Sequence, residues 1–222
     1  MKVSYQYILF DLDGTLTDPG TGIINSVLHA LRYFGIEGDP EFLRRFIGPP
    51  LIDSFMKYYG FDEKKARAAV EYYREYYREE GIFENLLYPD IPELLQTLTE
   101  QGKQLALATS KPTTFARRIL THFQIDHYFA EELIIGSFLD GRRTAKAEVI
   151  AAALALLPPE KEQAVMVGDR KFDIEGAQAN GIASIGVTYG YGELAEIELA
   201  GPTHIAHTVL DIKTLLEDPS LA

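Results

Sequence analysis

Four runs of consecutive apolar residues punctuate the chain: YILF (7–10), QLALAT (104–109), AVMVGD (164–169) and IASIGVT (182–188). A strand with one wet face alternates apolar and polar positions. These runs do not alternate, so each predicts a strand buried on both faces. Between them lie stretches of ten or more residues with apolar positions at helical spacing, such as PDIPELLQTLTEQGKQ, which Gly102 is placed to stop. Strand and helix in alternation predict a parallel sheet with helices on both faces, a doubly wound α/β architecture of five or six strands.

One region departs from that rhythm. From Pro19 to Glu84 the pattern is helical throughout, in TGIINSVLHALRYFG, EFLRRFIG, LIDSFMKYYG and EKKARAAVEYYREYYREEG. In the last segment Ala66, Ala69, Val70, Tyr73 and Tyr77 share one helical face. An all-helical module over 17–86 is therefore expected inside an α/β core made of 1–16 and 87–222, with the sheet resuming near Tyr88. Tyr72, Tyr73, Tyr76 and Tyr77 fit packing within this module, or an aromatic wall for an organic group. Gly48-Pro49-Pro50 reads as a stiff turn between helices. The closing DPSLA is expected to fray.

Composition narrows the chemistry. Against 33 acidic residues stand 21 Lys plus Arg, a formal charge of -12 that repels a phosphate polymer, so no nucleic-acid partner is expected. The absence of cysteine removes disulfides, thiolate metal sites and thiol nucleophiles. The N-terminal apolar stretch is broken by aspartate, which argues against a signal peptide or a membrane span and for a cytoplasmic protein.

The first strand runs into three aspartates, in ILFDLDGTLTD (8–18). Residues two apart on a strand point the same way, so Asp11 and Asp13 both face the crevice beyond the strand's carboxyl end, where open α/β sheets bind ligands. Two adjacent carboxylates call for a shared proton or a hard cation such as Mg²⁺. A solvated acidic turn explains the same letters. VMVGDRKFD (165–173) repeats the pattern, with Asp169 at a strand end and Asp173 either facing the same edge or serving as an Asp N-cap, or both. A third strand end carries Thr109, Ser110 and Lys111, and Lys146 opens the next long helix. GYGELA (190–195) and GSFLDGRR (136–143) imitate nucleotide-binding loops, but the first lacks room for a dinucleotide unit and the second lacks the Lys-Ser/Thr pair; both read as ordinary loops. Arg117-Arg118 and Arg142-Arg143 read as solvated faces. The five histidines lack metal-ligand spacing and receive no role.

Taken in order, DLDGT (11–15), the strand ending at Thr109, Lys146 and GDRKFD (168–173) resemble the four motifs of the haloacid-dehalogenase-like phosphohydrolases. The resemblance covers nearly the whole chain. The helical insertion is similar to the small cap of the phosphoglycolate-phosphatase-like branch and its members described as 5′-nucleotidases, as are IGPPL (47–51) and GIFENLLYPDI (81–91). Ser110 stands where relatives often carry asparagine. The resemblance implies a Rossmann-like core with a helical cap and a Mg²⁺-dependent phosphatase acting on a small phosphomonoester, expected to be a monomer. It implies Asp11 as nucleophile, Asp13 as general acid and base, and Thr109, Ser110 and Lys146 as the phosphate's partners. Mg²⁺ would be held by Asp11, Asp13 through its backbone carbonyl, and Asp169, with Asp173 in support. The same motifs serve a phosphosugar mutase, and a non-catalytic module that accepts phosphate on Asp11 remains an alternative of another class. A dehalogenase fits less well because it lacks the acid at Asp13.

Overall fold

The structure, a computed structural model, describes residues 5–158 and 160–217. In chain order it comprises β1 (Tyr7–Phe10), β2 (Thr17–Asp18), α1 (Gly20–Tyr33), α2 (Pro40–Leu43), α3 (Leu51–Tyr59), α4 (Glu63–Tyr76), β3 (Leu86–Leu87), α5 (Ile91–Glu100) and β4 (Gln104–Pro112). There follow α6 (Thr113–His122), β5 (Ile134–Ser137), α7 (Lys146–Leu154), β6 (Ala164–Gly168), α8 (Lys171–Asn180), β7 (Ala183–Val187), α9 (Leu194–Ala200), β8 (His204–Ala206) and α10 (Val209–Glu217). The expected tail DPSLA lies outside the described residues. The chain divides into two compact units, with boundaries at Thr17/Asp18 and Leu86/Leu87.

The first unit is built on a six-stranded parallel sheet of order β5-β4-β1-β6-β7-β8. β1 lies inside it, pairing Tyr7–Phe10 with Gln104–Leu107 on one side and Ala164–Val167 on the other. Ile8, Leu9 and Phe10 are fully buried, as strands covered on both faces require. On one face Leu9, Ala106, Ala108 and Met166 pack against Val149, Ile150 and Ala153 of α7 and Ala177 of α8. The architecture is the predicted one. The sheet resumes at Gln104 rather than near Tyr88, because among the described residues Leu86–Leu87 pair with Thr17–Asp18 in a separate two-stranded ribbon. The two outermost strands, β5 and β8, fall outside the four apolar runs.

The second unit is helical. α3 stops at Gly60, whose φ of 65° suits a residue without a Cβ, and Asp62 caps α4 by accepting from Lys65 N–H at 2.7 Å. Ala66, Ala69, Val70, Tyr73 and Tyr77 are all buried, and the rings of Tyr73 and Tyr77 stack at 5.3 Å. Tyr72 stacks on Tyr33 at 3.8 Å, while the Tyr76 hydroxyl donates to Glu84 at 3.0 Å. The tyrosines thus pack within their own unit. Pro49 and Pro50 lead directly into α3.

Candidate active site

Every side chain of the site comes from the sheet unit. β1 delivers Asp11 at its carboxyl end, and the chain then folds into a tight loop in which the Leu12 carbonyl accepts from Leu16 N–H at 2.9 Å and Thr17 N–H at 3.0 Å. Gly14 has a φ of 84°, and a Cβ there would overlap the Asp169 carboxylate. Asp11 Oδ1 accepts from Leu12 N–H at 2.8 Å.

Three carboxylates converge. Asp11, Asp169 and Asp173 are buried, and each offers an oxygen within 4.8 Å of the others'. Lys146, the first residue of α7, reaches them with its Nζ 2.8 Å from Asp11 Oδ1 and 2.8 Å from Asp173 Oδ1, and donates to the Ala108 carbonyl at 3.0 Å. One buried ammonium therefore ties together β1, β4 and α8. Burial alone would lower the Lys146 pKa, but Asp11 and Asp173 more than offset it and hold the ammonium charged. Asp169 is different: burial, then Asp173 and Asp11, push its carboxyl well above the usual range. Burial pushes Asp173 up as well, against the opposing pull of Lys146.

Asp173 is not an N-cap. Arg170 occupies that position, and Asp173 sits in the first turn of α8, where Oδ2 accepts from Arg170 N–H at 3.1 Å. A side chain two residues inside the helix can satisfy a free N–H and still turn an oxygen toward Lys146. Thr109 is buried and its Oγ1 accepts from Lys111 N–H at 3.2 Å; Ser110 is half-buried beside it on the extended end of β4. Asp13 has one oxygen, Oδ2, 2.5 Å from Lys111 Nζ. Burial raises its carboxyl pKa, with Lys111 opposing.

The donor set fits a hard divalent cation. The Asp169 Oδ1 oxygen is buried without a hydrogen-bond partner, and three carboxyl oxygens share a small volume with one ammonium. An all-oxygen, anionic cluster is the chemistry Mg²⁺ prefers. Asp13's side chain stands outside that trio.

Some contributors escape a reading of the letters. Of GYGELA, residues 190–193 form the expected loop while Leu194 and Ala195 open α9, and the loop lies against Asp169: Tyr191 N–H donates to Asp169 Oδ2 at 2.7 Å, and a Cβ on Gly190 or Gly192 would overlap Asp169. The Tyr189 hydroxyl donates to the Thr15 carbonyl at 2.8 Å, pinning this loop to the first one. The glycine spacing is visible in the sequence; its target is not. Arg142 is exposed, as expected. Arg143 is not simply solvated, because its guanidinium donates to the Gly136 carbonyl at 2.9 and 2.6 Å. His204 and His207 stand at and just after β8, outside the carboxylate cluster. Among the described residues no helix is long and apolar enough to cross a membrane.

The profile of the haloacid dehalogenase-like hydrolase family matches residues 8–187. A 5′-nucleotidase of Pseudomonas aeruginosa is 48% identical over 96% of each chain. The tyrosine-protein kinase PtkA of Mycobacterium tuberculosis is 42% identical over 92% of this chain and 69% of its own. The crystal structure of a predicted phosphatase from Clostridium acetobutylicum superposes with a TM-score of 0.91 at 46% identity, covering 97% of this chain and all of that one.

Proposed function

The chain belongs to the haloacid dehalogenase-like hydrolase family and is a phosphoric monoester hydrolase, and from that premise we propose that it cleaves small phosphomonoesters through an aspartyl-phosphate on Asp11 with Mg²⁺ bound. The observation that carries this reading is the convergence of Asp11, Asp169 and Asp173 on one volume with Lys146 against two of them.

Asp11, Asp169 and the Asp13 backbone carbonyl would hold the metal, with Asp173 in support. Bound there, Mg²⁺ supplies positive charge against the phosphoryl oxygens. A carboxylate next to a phosphate dianion is repelled by about 4 kcal/mol per pair of unit charges at ~4 Å and an effective dielectric of 20. Lys146 opposes that repulsion and fixes one oxygen of Asp11. Thr109 and Ser110 hydrogen-bond the phosphoryl group. A carboxylate oxygen of Asp11 forms the new bond to phosphorus as the ester bond breaks. The electron pair leaves with the ester oxygen, which takes a proton from Asp13. Asp13 then takes a proton from the water that attacks the aspartyl-phosphate, releasing inorganic phosphate and restoring Asp11. The helical unit is assigned the choice of organic group, with phosphoglycolate and nucleoside monophosphates as the favoured substrate classes.

The test is a panel of phosphomonoesters with Mg²⁺ and with chelator, run on the wild type and on Asp11→Asn. Turnover is expected only for the wild type with Mg²⁺. Normal hydrolysis by Asp11→Asn would rule the mechanism out. Including ATP with a protein acceptor separates hydrolysis from the transfer named in the mycobacterial relative.

A further inference from the structure

We propose that Lys111 is a positioning residue that fixes which oxygen of Asp13 exchanges the proton with the ester oxygen. The inference rests on the acid-base role proposed for Asp13 and adds a residue to it.

Lys111 is the second cation of the site, and its side chain is 6% exposed. It arrives there through an irregularity in the sheet. β4 and β5 pair in regular register at Leu107–Ile134 and Ala108–Ile135, then slip before Pro112 meets Ser137. Such slips re-aim side chains at sheet ends. The slip brings the Lys111 carbonyl so close to Gly136 that a Cβ there would overlap it, so β5 carries a glycine where β4 bulges. Meanwhile Lys111 N–H is held by Thr109 Oγ1 at 3.2 Å. The result is a lysine whose Nζ lies 2.5 Å from Asp13 Oδ2, inside the fold rather than in solvent.

The other oxygen, Asp13 Oδ1, is buried and has no hydrogen-bond partner. A buried carboxylate oxygen left bare is costly unless something arrives to use it. With Oδ2 committed to an ammonium, which only donates, the proton that Asp13 gives up is carried on Oδ1. Without Lys111 the carboxyl is free to turn about its own bond and present either oxygen.

The test compares kcat/KM for phenyl phosphate and 4-nitrophenyl phosphate, with Mg²⁺, in the wild type, Lys111→Met and Lys111→Arg. Both ratios report the steps up to phosphoryl transfer. Phenolate is the poorer leaving group and depends more on the proton. Lys111→Met is expected to lower kcat/KM for phenyl phosphate at least tenfold more than for 4-nitrophenyl phosphate, and Lys111→Arg to recover most of the difference. Lys111→Gln replaces Lys111→Met should the apolar head disturb folding. Equal losses for the two esters, or a rise in KM with kcat intact, would overturn the inference. Asp11→Asn in parallel keeps the two proposals apart: residual turnover there refutes the aspartyl-phosphate, whereas a dead Asp11→Asn with uniform Lys111 losses refutes only the role of Lys111.

Discussion

Replacing Asp169 by asparagine separates the stability of the metal-free site from its affinity for metal. Asp169 is buried, accepts one hydrogen bond from Tyr191 N–H at 2.7 Å, and shares a 4.8 Å cluster with Asp11 and Asp173. Two like unit charges at that upper limit of separation, were both ionised, would repel by about 3.5 kcal/mol at an effective dielectric of 20, in line with the upward push that burial, Asp173 and Asp11 give the Asp169 carboxyl. Lys146 sits against Asp11 and Asp173 and cancels part of that repulsion. Asparagine retains an acceptor for Tyr191 N–H, and the weakening of that bond costs about 1 kcal/mol. Without metal, Asp169→Asn is therefore expected to be at least as stable as the wild type. Metal reverses the order. At 100 times Kd the wild type gains about 2.7 kcal/mol; a hundredfold loss of affinity leaves the variant about 0.4 kcal/mol at the same concentration. Urea denaturation in chelator and in Mg²⁺, at matched ionic strength, reads both quantities. A variant that loses more than ~2 kcal/mol in chelator, or that gains from Mg²⁺ as much as the wild type, would refute the reasoning.

Gly14→Ala is expected to lose at least ~2 kcal/mol of stability, because a left-handed backbone is strained with a Cβ and that Cβ meets the Asp169 carboxylate; chemical denaturation measures it, and a loss under ~0.5 kcal/mol would contradict the packing described. Glu196 accepts from Arg170 Nε at 2.8 Å and Lys171 N–H at 3.1 Å; burial raises its carboxyl pKa, but these partners outweigh it and the net shift is downward. A depressed carboxyl stabilises the fold above its unfolded pKa of about 4.3 and loses that contribution as pH falls through the folded value. Glu196→Gln should therefore cost about 1 kcal/mol at pH 7 and show a shallower fall in stability than the wild type below about pH 4.3, followed by denaturation at stepped pH. Parallel curves would show that the pair contributes nothing.

The centre of the sheet was readable because burial on both faces leaves an unbroken apolar run, as in Ile8, Leu9 and Phe10. Its edges were not. β5 and β8 are four and three residues long and stand outermost, where one side needs no partner strand and the composition is freer. Asp11 and Asp169 declared themselves by standing directly after apolar runs, and Asp13 by its two-residue spacing from Asp11. Lys111 was legible as a residue of the third strand end, but its pairing with Asp13 was not, since its aim depends on a register slip between β4 and β5 that no local pattern encodes. The glycines at 190 and 192 were visible as spacing, but their reason is a close approach to a residue over twenty positions earlier in the chain. Asp173 was legible as a member of the acidic edge, but its alternative reading as an N-cap missed the helix start by three positions, a distance over which capping signals overlap.

The central claim, that Asp11 carries the phosphoryl group, is tested most directly by acid-quenching the enzyme during turnover of a phosphomonoester with Mg²⁺ and locating any covalent phosphate by mass spectrometry. One phosphoryl group on the peptide containing Asp11, absent from Asp11→Asn, is the predicted result. Sustained turnover with that peptide unmodified, or the same label persisting in Asp11→Asn, would contradict it.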